Sequence, residues 1–152
     1  MKASDLKRFD LFVEFSEEDR ANFFELLDEQ SVAAGETLFC AGDEADSLVL
    51  VLSGSFRVKS LAGGSLGLLC EGTHLGALSL MTIGCREATA CAQADARVAM
   101  LSRAGFLRLA DDFPRTACRL AEAIIADFAT AMRPQLSRIS EGLSTDDIVF
   151  SG

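Results

Sequence analysis

Between Gly72 and Ala90 the chain reads Gly-Thr-His-Leu-Gly-Ala-Leu-Ser-Leu-Met-Thr-Ile-Gly-Cys-Arg-Glu-Ala-Thr-Ala, a spacing that suits the holding of an anion. Gly72 and Gly76 bracket the end of a strand, a short apolar segment Leu78–Met81 follows, and Gly84 releases the chain into Arg86. Backbone N–H groups in a turn followed by one helical turn converge on a negative group, and an arginine beside them adds a planar fork of donors. The same residues also make a tight barrel corner with a surface arginine, and a single basic residue near glycines is common. His74, the single histidine of the chain, reads as a barrel-rim residue. The acidic residues at 17–19 and 111–112 read as helix-start and turn chemistry, and no pair of carboxylates suggests catalysis.

The elements that must position this stretch follow from periodicity. Leu6, Phe9, Phe12 and Val13 sit at helical spacing, so Asp5–Phe15 predicts a short helix or helical turn. Ser16-Glu-Glu-Asp19 is a helix start, with Ser16 as cap and Asp19 at the reciprocal position. Phe23, Phe24, Leu26 and Leu27 form the buried face of a helix expected to run to about Glu29. From Ser31 the period changes. Ser31–Ala33, Thr37–Cys40, Ser47–Leu52, Ser55–Ser60, Ser65–Cys70, Glu87–Ala94 and Ala96–Ser102 are short apolar or alternating runs separated by glycine and aspartate turns. Seven or eight short strands argue for an antiparallel sandwich or barrel. Phe56 and Val58 alternate with Arg57 and Lys59, the mark of a half-exposed strand. Leu48–Leu52 is continuously apolar and is expected to be central.

After Ser102 helical spacing returns. Arg103–Ala110 predicts a short helix, stopped by Asp111-Asp112-Phe113-Pro114, and Pro114 suits the first turn of the next. That helix carries Ala117, Leu120, Ala121, Ile124, Phe128, Ala131 and Met132. Pro134 removes a hydrogen bond and crowds the preceding turn. Leu136, Ile139 and Leu143 continue the pattern beyond it, so a kinked continuation is expected rather than a stop. The chain divides into an N-terminal helical segment 1–30, a barrel 31–102, C-terminal helices 103–143 and a loose tail 144–152, all one domain.

Bulk properties narrow the function. The 152 residues are 49% hydrophobic with 11 Phe, no Trp and no Tyr, and carry a net charge of −9. Such a chain buries a core without staples. Acidic side chains outnumber basic ones in every segment, so no basic patch attracts a phosphate backbone and direct nucleic-acid binding is not expected. The five cysteines (Cys40, Cys70, Cys85, Cys91, Cys118) form no CxxC and read as buried free thiols in a reducing cytoplasm. Jelly-roll metal enzymes need two or three histidines and a carboxylate, so no metal site and no enzyme activity are expected. The charged N-terminus has no signal-peptide pattern and no apolar run is long enough to span a bilayer. The expected location is cytoplasmic, with no membrane partner.

The glycine layout is more specific than the strand count. Ala34-Gly-Glu-Thr-Leu-Phe-Cys-Ala-Gly-Asp43, Ser47-Leu-Val-Leu-Val-Leu-Ser-Gly54, Gly72…Leu75-Gly76 and Arg86-Glu-Ala-Thr89 closely resemble the cyclic nucleotide-binding domain family, the sensor of Crp/Fnr-type regulators, gated channels and kinase regulatory subunits. The resemblance runs from about Phe9 to Met132. It implies a mainly β fold with flanking α: an antiparallel jelly-roll β-barrel (a double-stranded β-helix) with N-terminal helices and a long C-terminal helix. It also implies a phosphate-binding cassette over the opening stretch. Arg86 corresponds to the arginine that pairs with the cyclic phosphate, Gly76 to the glycine before the cassette helix, and backbone N–H groups near Ala77, Leu78, Glu87 and Ala88 would hold the ribose-phosphate. Base-facing helix positions fall at Ala131 and Met132. Five positions depart from the family pattern: Ala77 stands where a glutamate accepts from the ribose hydroxyl, Glu87 replaces a small residue, Cys85 replaces a proline, and Ala131 and Met132 are apolar.

Two functions compete on these residues. In the first, the chain is a regulatory ligand-sensing module that binds a cyclic nucleotide (cAMP or cGMP) or another small anion near Arg86. It would signal through the long C-terminal helix as a homodimer. In the second, it is a dimerisation or scaffold module whose vestigial pocket is closed by an Arg86–Glu87 pair. A DNA reader would need a helix-turn-helix after the long helix, and none is expected in this chain.

Overall fold

The computed structural model describes residues 1–142; the tail at 144–152 and Leu143 lie outside the described residues. The elements are two 3-10 helices (Ala3–Arg8 and Asp10–Phe12), α1 (Glu17–Phe24), and eight strands. These are β1 (Asp28–Val32), β2 (Thr37–Phe39), β3 (Ser47–Ser53), β4 (Ser55–Ser60), β5 (Ser65–Cys70), β6 (His74–Leu75), β7 (Ala88–Ala92) and β8 (Ala96–Ser102). A 3-10 turn at Ala77–Leu80 lies between β6 and β7, and α2 (Arg103–Asp112) and α3 (Pro114–Gly142) follow β8. Two four-stranded sheets, β1-β8-β3-β6 and β2-β7-β4-β5, are antiparallel at every pairing. The molecule is the mainly antiparallel jelly roll with flanking helices that the sequence leads one to expect.

The unbroken apolar run of β3 has a simple cause: it lies between β8 and β6 and is covered on both faces. Val49 and Val51 meet Val98, Phe56 and Ala90 between the two sheets. Leu48, Leu50 and Leu52 point the other way, onto Phe9, Phe12, Leu109, Leu120 and Ile124 beneath the helices. Period-2 side-chain alternation therefore feeds one strand into two cores. Four phenylalanines from the N-terminal segment, Phe9, Phe12, Phe15 and Phe23, pack largely edge-on in the second core, a geometry that adds to simple burial.

Two expectations are corrected. The first helix stops at Phe24, not Glu29, because Asp28–Val32 is drawn into the ladder with β8, Gln30 opposite Val98; sheet pairing outweighs local helical spacing. The cysteines are not buried: Cys40, Cys70, Cys85 and Cys118 are exposed and Cys91 is intermediate, since they fall on outward strand positions, loops and the free helix face. Other details match. The short helical structure expected over residues 5–15 takes the form of two 3-10 helices. Pro114 opens α3, and the helix continues through Pro134 to Gly142.

Ser16 and Asp19 cap α1 reciprocally: the Asp19 N–H donates to Ser16 Oγ at 3.1 Å and the Ser16 N–H donates to the Asp19 carboxylate at 3.2 Å. Asp19 also accepts from Thr116 Oγ at 2.7 Å and faces Arg119 at 3.2 Å, both on α3. Burial pushes its carboxyl up, but the bonds from Thr116 and Ser16 and the charge of Arg119 outweigh that and hold it below its ordinary 3.8. A depressed carboxyl contributes stability that is complete above the unfolded value and is lost as pH falls through the folded value. Asp19→Asn is therefore expected to cost about 1–3 kcal/mol at neutral pH. Urea unfolding at neutral pH and at about pH 3 checks this: the gap between variant and wild type narrows on acidification.

Candidate functional site

Strand β6 delivers the chain to Gly76, whose φ of +76° is the left-handed conformation that glycine adopts at little cost. A Cβ there would lie 2.6 Å from the Ser47 carbonyl and against Arg86 Nη1, so no other residue fits without displacing the arginine. The 3-10 turn Ala77–Leu80 follows, and the chain returns along the β2–β3 loop. The Ala45 N–H donates to Gly84 O at 2.9 Å, the Arg86 N–H to Asp43 O at 2.7 Å, and the Gly42 N–H to Arg86 O at 2.8 Å. That zipper fixes the backbone of Arg86 at both its donor and its acceptor.

Its side chain turns inward and is only 8% exposed. Arg86 Nη2 donates to Ser47 O at 2.9 Å and to Ser47 Oγ at 3.0 Å, and the guanidinium carbon lies 4.5 Å from the centroid of the Phe39 ring. Burial draws the guanidinium below its ordinary value, while Asp46 and Asp43 oppose that shift; arginine nevertheless stays charged at neutral pH. Nη1 and Nε have no hydrogen-bond acceptor among the described residues. A desolvated cation with unused donors is the arrangement that a small anion satisfies best.

Arg86 lines a cavity of about 660 Å³ between the sheets, the 76–88 segment and α3. Gly76, Ala77, Leu78, Glu87 and Ala88 line the same space, so all six residues singled out in the cassette share one cavity. Of the two helix positions, Ala131 lines it and Met132 does not. Met132 is the next residue on α3, a helical step of about 100° further round, and it points to solvent. The Arg86–Glu87 closure is overturned. Glu87 is exposed, the guanidinium bonds Ser47, and no ion pair joins the two residues among the described residues. A carboxylate drawn inward would lose its hydration, and Glu87 keeps it by facing out.

Three features escaped the sequence. Ser47 opens a strand whose interior, Leu48–Leu52, is wholly apolar, and a hydroxyl at that place is the only signal of its role. Arg103 donates to Ser79 O at 2.8 Å, to Ala45 O at 3.2 Å and to Thr82 O, joining the cassette to the start of α2; nothing in its neighbourhood of the sequence marks it. His74 is a lining residue whose Nε2 lies 3.7 Å from the Asp127 carboxylate on α3, while its Nδ1 is buried with no partner among the described residues.

With this geometry in hand, comparison with known proteins is decisive. The family model of the cyclic nucleotide-binding domain matches residues 29–113. The chain belongs to the cyclic nucleotide-binding domain family. It is 30% identical over 104 residues to the cAMP-dependent protein kinase regulatory subunit of Eremothecium gossypii, covering 68% of this chain and 23% of that protein. It is 32% identical over 99 residues to lysophospholipase nte1 of Aspergillus oryzae, covering 61% of this chain and 6% of that protein. This member of the family thus spans less than a quarter of the length of either relative. Among solved structures it resembles the N-terminal domain of a transcriptional regulator from Streptomyces coelicolor A3(2) (27% identity, TM-score 0.75, 84% of this chain and 94% of that one). It also resembles the Thermus thermophilus Catabolite Activator Protein (27% identity, TM-score 0.71, 86% and 63%). As a cyclic nucleotide-binding domain the chain is a regulatory fold, and its match to the lysophospholipase is confined to a small part of that enzyme.

Proposed function

We propose that this domain is a ligand sensor that holds a cyclic nucleotide or another small anion at Arg86 and signals through α3. The observation that carries the reading is the half-satisfied guanidinium: two bonds fix it to Ser47, and its remaining donors border the cavity. Gly76, Ala77, Leu78, Glu87 and Ala88 supply the surrounding backbone, and Ala131 stands on the helix side. Ile124 and Phe128 of α3 also line the cavity, and Asp127 meets His74 two residues before Gly76. A ligand that alters the cassette therefore acts on α3 through direct contacts, a two-state coupling in which differential affinity does the work. The similarity to a cAMP-dependent protein kinase regulatory subunit favours cyclic nucleotides as the first ligands to test. Calorimetric titration with cAMP, cGMP and inorganic phosphate tests the reading; heat with cAMP or cGMP that vanishes in Arg86→Ala supports it, and no heat with any of them removes it.

The helix itself supports the dimer. Ile125, Met132, Leu136 and Ile139 are 65%, 37%, 56% and 55% exposed and recur at helical spacing along α3, a stripe that a second copy would cover. The protein is expected to sediment as a dimer at micromolar concentration, and Ile125→Glu with Leu136→Glu to sediment as a monomer. A monomeric wild type would remove this part of the proposal.

A further inference from the structure

The walls of the cavity constrain what kind of anion it takes. One end carries the Arg86 guanidinium, with Nη1 and Nε unbonded among the described residues. Phe39, Val58, Leu69, Leu75, Ile83 and Phe128 form an apolar wall of the cavity, which Ser79, Thr82 and His74 also line. The lining groups that ionise apart from Arg86 and Cys85 are Glu87, Asp127 and His74. Glu87 and Asp127 are exposed, and the Asp127 carboxylate is engaged with His74. The hydroxyl of Thr82 is committed to Leu78 O at 2.9 Å. At Ala77, next to the arginine's glycine, the side chain is a methyl group with nothing to accept a hydrogen bond.

A sugar phosphate brings hydroxyls and a polar heterocycle, each of which loses water on entry and needs a partner. The uncommitted side-chain partners in the lining are few: the Ser79 hydroxyl, the exposed Glu87 carboxylate and the buried Nδ1 of His74. The apolar walls are in turn unsatisfied. Ile83 is 88% exposed and Phe128 45% exposed although both border the cavity, so a hydrocarbon body would take both out of water. The volume of about 660 Å³ lies within the range of ordinary small-molecule sites.

We infer that the cavity takes an amphiphilic monoanion: a carboxylate head paired with Arg86 and an alkyl or aryl body against Val58, Leu69, Ile83 and Phe128. This rests on the reading of Arg86 as an anion receptor and names the class of ligand that reading leaves open. Binding strength then grows with hydrocarbon length, because the head group is constant and each buried methylene contributes about fourfold in affinity. A glutamate at position 77 would face the head group from beside Gly76 and weaken it.

Calorimetric titration of the full chain with acetate, butanoate, hexanoate, 4-phenylbutanoate and cAMP tests the inference, with Arg86→Met and Ala77→Glu as variants whose folding is checked by thermal unfolding. The expected result is a rise of about fourfold per methylene from butanoate to hexanoate, with 4-phenylbutanoate at least about tenfold tighter than cAMP. Arg86→Met is expected to lose about thirtyfold or more for hexanoate, and Ala77→Glu to weaken every carboxylate. Affinities that stay flat along the series, or cAMP binding tighter than 4-phenylbutanoate, overturn the inference while leaving the anion receptor intact if Arg86→Met still abolishes cAMP binding. Absence of heat for every anion overturns the receptor itself, and the inference with it.

Discussion

Replacing Arg86 by methionine is expected to lower anion affinity about thirtyfold or more while leaving the protein folded. The side chain supplies the only cation bordering the cavity among the described residues, apart from His74 when protonated, and each charge-assisted bond it makes to an anion contributes about 1.5–3 kcal/mol. One or two such bonds amount to roughly ten- to ten-thousandfold in affinity. Stability moves less, because two effects oppose each other. Losing the guanidinium strips Ser47 O and Oγ of their donor, and it also removes a charge whose burial disfavours the charged form. Methionine keeps the volume against Phe39. A variant that binds as the wild type does would place the anion elsewhere.

Gly76→Ala carries the second large effect, and it acts on fold and site together. At φ +76° an L side chain costs about 1–2 kcal/mol, and the new Cβ would stand 2.6 Å from the Ser47 carbonyl and against Arg86 Nη1. The Ser47 carbonyl belongs to central strand β3 and does not give way, so the arginine must. The expected loss is about 2–4 kcal/mol of stability together with loss of anion binding. Two controls separate the causes. Gly72→Ala has the same hand of backbone, with φ +87°, but its Cβ meets nothing closer than 3.7 Å, so strain alone applies and binding survives. Gly54→Ala crowds Asp95 O and Ala96 Cβ at 2.7 Å on the far side of the barrel, so stability falls and binding survives. Urea unfolding and calorimetry of the three variants read both quantities.

Much of the architecture was legible from local pattern because the pattern and the packing agree. β3 announces itself by five apolar residues in a row, and Ser16 with Asp19 marks a helix start that tertiary contacts with Thr116 and Arg119 then reinforce. The stretch at 28–32 was not legible, since Asp28-Glu-Gln-Ser holds no apolar alternation and is a strand only because β8 lies alongside. At the site, Gly76 and Arg86 were visible by type and spacing. Ser47, Phe39 and Arg103 were not. They reach the cassette from residues 39–47 and 103, and only the sheet order brings them there. Glu87 shows the limit of adjacency: two charges side by side in sequence suggest a pair, and burial of one with hydration of the other separates them.

The central claim is that the Arg86 guanidinium receives the anion inside the cavity. The side-chain Nε–H resonance of Arg86, assigned by its loss in Arg86→Met, reports this directly during titration with hexanoate and with cAMP. A saturable shift of that resonance, tracking the calorimetric affinity, with the Arg103 resonance unchanged, is the predicted result. Binding heat without any movement of the Arg86 signal would contradict the account.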